Sequence, residues 1–280
     1  EKRREVAHSP CVRPRQASGM DGFSKPRRSS EGVILCEANP YASDGPGLTG
    51  SIQWDGGMAL ARFLAWRSQT FPFDGRLVLE LGAGTGVVGL TLGRLGSRVF
   101  LTDCEPAIIM LLKHNVQLNE LGGRVSVGHL EFGSTTRNDV ELPRPPDVVV
   151  ASEVLYEASH GIGLAQCLGA LVPSEASSAE VFLAYQHREE APLEVFASAM
   201  LEMGFAFERL EDPEGRVVAG STGDKELVYG SSCFRELGAE VYSSIREASQ
   251  SDRFSPGNER TSGGGGTQIL RLTRRAQGKL

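Results

Sequence analysis

Residues 77–86 read Leu-Val-Leu-Glu-Leu-Gly-Ala-Gly-Thr-Gly, and residues 98–103 read Arg-Val-Phe-Leu-Thr-Asp. Leu77 to Leu81 form a short apolar run, the pattern of a buried strand. The glycines that follow allow a sharp turn and a close approach of backbone to a ligand. Residues 86–96, GVVGLTLGRLG, then carry apolar residues at helical spacing, so the turn lies between a strand and a helix N-terminus. Such a turn, at the carboxyl end of a parallel strand, is a nucleotide-type pocket. The second strand, Arg98–Thr102, ends at Asp103, where a carboxylate is placed to accept hydrogen bonds from ribose hydroxyls.

The glycine spacing leaves two cofactors open. Gly84, Gly86 and Gly89 match the dinucleotide fingerprint, with Asp103 about 20 residues on. Glu80-Leu-Gly82-Ala83-Gly84-Thr-Gly also resembles the first motif of S-adenosylmethionine (SAM) methyltransferases. SAM has no phosphate, and its methionine end carries an ammonium beside a sulfonium. An acid at Glu80 suits those cations and repels a pyrophosphate, which favours SAM over NAD. A third reading, glycines that serve only strand–helix packing, stays open at this point.

Alternating elements continue along the chain. A helix is expected near Trp54 to Trp66, one near Gly86 to Leu95, and one near Glu105 to Asn119 with Pro106 in its first turn. Further strands are expected in VSVGHLEFG, DVVVASEVLY, EVFLAYQ and FAFERL, with helices near Gly163–Leu171 and Leu193–Met203. Gly32 to Ala38 reads as another strand. Repeated strand–helix alternation implies a parallel, doubly wound sheet. Residues 211–266 are polar and rich in Gly and Ser, and read as an insert with one helical piece near 234–247. Thr267 to Arg275 restores a strand, the last of the sheet.

The order of these segments (TGSIQWDGG, LVLELGAGTG, VFLTD, HLEFG, DVVVASEVLY) resembles the seven-β-strand protein-lysine methyltransferases, the group that acts on valosin-containing protein, Hsp70 and elongation factor 2. The resemblance covers about Gly50 to Leu210 and the last strand. It implies an α/β, Rossmann-like, doubly wound seven-stranded sheet, mostly parallel with an antiparallel last strand and helices on both faces. It implies that Trp54, Glu80, Gly82, Ala83, Gly84, Asp103, Phe132 and Ser152 hold SAM. Phe132 stands where the family usually has tryptophan, and it can still stack on a purine. Glu153 and Tyr156 match the family's acid-x-x-Tyr motif, with Glu for the usual Asp, and are the expected catalytic pair. The Pro-Pro-aromatic tetrad of methyltransferases that modify planar nitrogens is missing from SEVLY.

The implied function is SAM-dependent methylation of a lysine ε-amine on a protein such as a chaperone, an AAA ATPase or a translation factor. The alternatives are methyl transfer to a small molecule, RNA or another side chain, and a non-catalytic docking module on the same fold. Of 280 residues 40% are hydrophobic, enough for one domain, expected over 31–275 between tails at 1–30 and 276–280. The net charge is −6, against bulk nucleic-acid binding. Residues 1–30 hold 8 basic and 3 acidic residues, the rest 21 and 32, so a basic tail of +5 precedes an acidic body of −11. Five cysteines without a C-x-x-C pair read as reduced, mostly buried thiols. The histidines show no metal-ligand spacing, so no metal is expected. No apolar run approaches a membrane span of about 18 residues. A cytoplasmic location is expected, with the nucleus left open by the basic tail. The first residue is Glu1, so a fragment of a longer chain is expected.

Overall fold

The structure, a computed structural model, describes residues 23–38, 49–133, 142–172, 178–186, 190–210 and 267–274. Its elements run β1 (Arg27–Arg28), β2 (Ile34–Leu35), α1 (Asp55–Arg67), β3 (Leu77–Leu81), α2 (Val87–Arg94), β4 (Arg98–Asp103), α3 (Pro106–Leu118), β5 (Val125–His129) and β6 (Val148–Ser152). Then follow α4 (Ala158–Leu171), β7 (Glu180–Gln186), α5 (Glu190–Glu202), β8 (Phe205–Leu210) and β9 (Thr267–Arg274). A 3-10 turn, Thr49–Ser51, precedes α1.

Seven strands form one sheet in the order β5-β4-β3-β6-β7-β9-β8. β5 to β7 are parallel, and β9 runs antiparallel to both β7 and β8. The strand order reverses between β4 and β6, on either side of β3. The doubly wound sheet is therefore as expected. β9, the last strand in the chain, is antiparallel as expected, and it lies between β7 and β8. Its Ile269, Leu270 and Leu272 are buried, Ile269 against one face of the sheet's core and Leu270 and Leu272 against the other.

Alternation along the strands divides the core in two. Val78, Val99, Leu101, Val148, Val150 and Phe182 face α1, α2 and α3. Leu79, Leu81, Val149, Leu183 and Tyr185 face α4 and α5. LVLEL is buried at all five positions because helices cover both of its faces. At the opposite end of the sheet from the glycine turn, the Glu180 carboxylate meets Arg271 at 2.7 Å, Arg67 at 3.4 Å and Arg76 at 3.7 Å. Three guanidiniums around one carboxylate give a buried, multiply paired charge.

Two N-terminal expectations change. The strand expected over Gly32 to Ala38 is shorter, Ile34–Leu35, and it pairs with Arg27–Arg28 outside the main sheet. Arg27–Arg28 lies inside the stretch read as a tail. Asn115 on α3 and Asn119 at its C-cap bind the backbone of Cys36 and Ile34, which takes up the groups a neighbouring strand would need. α4 begins at Ala158, earlier than expected, because its first turn, Ala-Ser-His-Gly, carries no apolar periodicity. The insert at 211–266, its helical piece, and the tail at 276–280 lie outside the described residues. Among the described residues no helix is long and apolar enough to cross a membrane.

Candidate active site

A cavity of about 900 Å³ opens at the carboxyl ends of β4, β3 and β6. That volume suits a nucleoside-sized ligand with a second group beside it. Nine of the ten expected site residues line it: Trp54, Gly82, Ala83, Gly84, Asp103, Phe132, Ser152, Glu153 and Tyr156.

The floor is the turn after β3. Gly82 and Gly84 have φ of +60° and +54°, a left-handed backbone that favours glycine. A Cβ on Gly84 would lie 3.0 Å from the Gly50 carbonyl oxygen, and one on Gly82 would lie 2.6 Å from Val154. The turn is thus held close to its surroundings and still offers bare backbone to the cavity. Asp103 ends β4 beside it and is 8% exposed. Its carboxylate accepts the N–H of Gly84 at 3.1 Å and of Glu105 at 3.2 Å. Burial pushes the Asp103 carboxyl up, against the pull of the Glu105, Gly84 and Cys104 N–H groups. Each oxygen keeps a second lone pair, which is what a pair of ribose hydroxyls requires.

Trp54 caps α1 and donates its indole N–H to the Thr49 carbonyl at 2.8 Å, which fixes the ring on the wall. Phe132 follows β5 and packs on α4 at Gly163, where a Cβ would lie 2.9 Å from the phenylalanine Cβ. Gln53 and Thr85 join the two sides. The Thr85 hydroxyl donates to Gln53 Oε1 at 2.5 Å, and Gln53 Nε2 donates to the Trp54 carbonyl at 2.7 Å.

Opposite the glycine turn, β6 ends at Ser152, and Glu153 follows with φ of +56°. The Glu153 N–H still donates to the Ala184 carbonyl at 3.0 Å. Its carboxylate packs against the first turn of α1, so closely that a Cβ on Gly56 would overlap it. A helix N-terminus favours a carboxylate there. Tyr156 is 43% exposed and meets the His160 ring edge-on, with centroids 4.3 Å apart. Burial pushes its hydroxyl up, against a hydrogen bond with the Thr49 side chain.

Glu80 is the exception. It is 1% exposed and faces α2 beneath the turn, and its carboxylate accepts the Gly89 N–H at 2.7 Å. Burial pushes it up to about 8, and the charge on Asp103 adds to that. Direct contact with a ligand's cations is not its geometry here. It joins the sheet to the first turn of α2 instead. Alternation along β3 explains this, because Glu80 points to the same face as Val78. Gln53, Thr85, Thr49, Gly56 and His160 complete the site. The sequence marks none of them, apart from their proximity to Trp54, the glycine turn and Tyr156.

Residues 42–202 match the family described as lysine methyltransferase. A calmodulin-lysine N-methyltransferase of Arabidopsis thaliana is 27% identical, over 64% of this chain and 58% of its own. The mouse protein-lysine N-methyltransferase EEF2KMT is 27% identical, over 68% of this chain and 59% of its own. The mouse EEF1A lysine methyltransferase 3 is 30% identical, over 58% of this chain and 66% of its own. The chain thus spans under 60% of the length of the first two. Among solved structures, the Thermus thermophilus 16S rRNA N2 G1207 methyltransferase, in complex with AdoMet and guanosine, aligns with a TM-score of 0.52. It is 14% identical and covers 91% of this chain and 51% of that one, a likeness of fold. With more than half of its length matching, the chain belongs to the lysine methyltransferase family.

Proposed function

We propose that this chain is a SAM-dependent protein-lysine N-methyltransferase. One observation carries the reading: a single cavity brings the glycine turn and Asp103 on one side together with Glu153 and Tyr156 on the other. The family match and the relatives' names support it.

The residues fit the cofactor. Bare backbone at Gly82, Ala83 and Gly84 receives the methionine end, Asp103 takes the ribose hydroxyls, and Trp54 and Phe132 provide flat apolar walls. Ser152 borders the same space through β6. Bound there, SAM supplies a methyl on a sulfonium, open to in-line displacement by an amine.

The chain's own task is alignment and exclusion of water. A lysine of pKa about 10.4 is neutral only about once in a thousand at pH 7, so the acceptor must lose a proton before it attacks. Glu153 orients the lysine head and offsets its charge. A carboxylate beside an amine raises the amine's pKa, so Glu153 is a binding group rather than a strong base. Tyr156, on the cavity wall, lines the path of the lysine stem. The acidic body suits a basic surface around the target lysine.

The test is calorimetric titration with S-adenosylhomocysteine (SAH), with NAD as control, followed by labelled SAM with cell lysate. Micromolar binding of SAH, none of NAD, and labelling lost in Glu153→Gln and Tyr156→Phe are expected. Full labelling by both variants would remove the two residues from the mechanism. No binding of SAH would leave a docking module.

A further inference from the structure

The charge of the cavity wall is one-sided. Its charged side chains, among the described residues, are the carboxylates of Asp103, Glu105, Glu131, Glu153 and Glu157, and no Lys or Arg lines it. They stand on both sides of the glycine turn. Asp103 and Glu105 lie at the end of β4, Glu131 beyond β5, and Glu153 and Glu157 beyond β6, while the turn follows β3 between β4 and β6. The carboxylates add to the effect of burial at two groups on the wall. Burial, then the charges of Asp103, Glu105 and Glu131, push the Cys104 thiol up. Burial, with Cys104, then Glu157 and Asp103 adding to it against the Thr49 hydrogen bond, pushes the Tyr156 hydroxyl up across the cavity.

This bears on the cofactor and rests on the reading in the preceding section. SAM carries an ammonium, a sulfonium and a carboxylate, a net +1. When the acceptor nitrogen bonds to the methyl carbon, the pair of the broken carbon–sulfur bond stays on sulfur. The product is a thioether of net charge zero, and the positive charge leaves with the methylated amine. A negative wall therefore distinguishes the two forms of the cofactor, because only one has a cation at the sulfur.

We propose that this ring of carboxylates makes the cavity charge-selective, so that it retains the sulfonium form of the cofactor and releases the neutral thioether product. Glu105 and Glu131 set part of this bias. Both are exposed, neither is needed to hold the ribose or the lysine, and both act through space.

The experiment is calorimetry on the full chain with two probes, SAH and its net +1 amine analogue sinefungin. Each is measured at about 0.01 M and about 1 M salt, where the Debye length is about 30 Å and about 3 Å. Sinefungin is expected to bind about tenfold tighter than SAH at low salt, a margin of about 1.4 kcal/mol that narrows at high salt. In a Glu105→Gln, Glu131→Gln double variant the margin shrinks about threefold, with SAH affinity unchanged. Equal binding of the two probes in the wild type overturns the proposal and leaves the cofactor reading standing. A margin that ignores both salt and the double variant also overturns it, since hydrogen bonding of the amine then suffices. Binding of neither probe removes the cofactor reading, and this proposal with it.

Discussion

Asn115→Ala is the perturbation whose cost the structure states most fully. Asn115 on α3 and Asn119, its C-cap, lie one turn apart, about 6 Å along the helix axis. Cys36 and Ile34 are two residues apart in extended chain, about 6.6 Å. The spacings match, so each amide clasps one backbone residue. Asn115 Oδ1 accepts the Cys36 N–H at 2.9 Å, and Nδ2 donates to the Cys36 carbonyl at 3.1 Å. The same Nδ2 donates to the Thr85 carbonyl at 2.9 Å, inside the glycine turn. Asn119 repeats the pattern on Ile34, at 2.8 Å and 2.6 Å. Asn115 is fully buried. Its removal strands one N–H and two carbonyls where water does not reach, at about 1 kcal/mol each, so about 3 kcal/mol is lost. Asn119 is half-buried, water replaces its bonds, and Asn119→Ala costs about 1 kcal/mol. Urea unfolding followed by circular dichroism measures both. Asn115→Ala also loosens Thr85, so SAH affinity falls in that variant and not in Asn119→Ala. The reasoning fails if Asn115→Ala lies within about 0.5 kcal/mol of wild type, or if Asn119→Ala costs more.

Two further outcomes follow from the site. In Gly56→Ala the new Cβ stands where the Glu153 carboxylate lies, and the flexible side chain is what moves. Folding stability then changes by less than about 1 kcal/mol, SAH binding stays, and methyl transfer falls; unchanged transfer in a labelled-SAM assay would mean the placement of Glu153 is irrelevant. Glu80 is raised from 4.5 to about 8, so the folded state binds its proton more tightly than the unfolded chain. Its contribution is full below about pH 4.5 and is lost as pH rises through about 8. Glu80→Gln therefore gains thermal stability relative to wild type as pH increases across that window, and a difference in Tm that does not vary with pH would refute the assignment.

The central sheet was legible because its strands are buried on both faces. LVLEL and DVVVAS are continuous apolar runs, and the helices between them carry apolar spacing that no surface segment would keep. Asp103 and the glycine turn were legible for a related reason, since a strand end fixes where the next residues point. Glu80 was misplaced by one degree of freedom. Its position at the end of β3 is visible in sequence, but the face it points to depends on the pleat, and the pleat turns it away from the cavity toward α2. Gly32 to Ala38 misled through composition. Val, Ile and Leu there are apolar because they cover α3, and the backbone pairs with Arg27–Arg28 and with two asparagine amides instead of joining the main sheet. A signal for that was present: Asn115, among the apolar Ile108, Leu111, Leu112 and Val116 of α3, and Asn119, four residues on at its C-cap, mark a polar stripe that needs buried partners. His160 carried no such signal, because only the path of the chain after β6 brings it to Tyr156.

Among the described residues, the two non-glycine residues with positive φ separate structure from function. Glu120, at +57°, follows the C-cap of α3, where a left-handed residue is the usual way to end a helix. Its strain has a local cause. Glu153, at +56°, follows a strand, and no helix end requires the conformation. A left-handed, non-glycine residue costs on the order of 1–2 kcal/mol. Glycine would remove that cost at once, yet glycine has no carboxylate. The geometry shows what the strained backbone accomplishes. The Glu153 N–H keeps its bond to Ala184, so the sheet is undisturbed, while the side chain turns against the first turn of α1. There Gly56 leaves room for it and the helix N-terminus favours its charge. An ordinary extended residue after β6 would continue the alternation of the strand and direct its side chain elsewhere. The strain is thus coupled to a glycine on another element, and the two together hold a carboxylate on the cavity wall opposite the glycine turn.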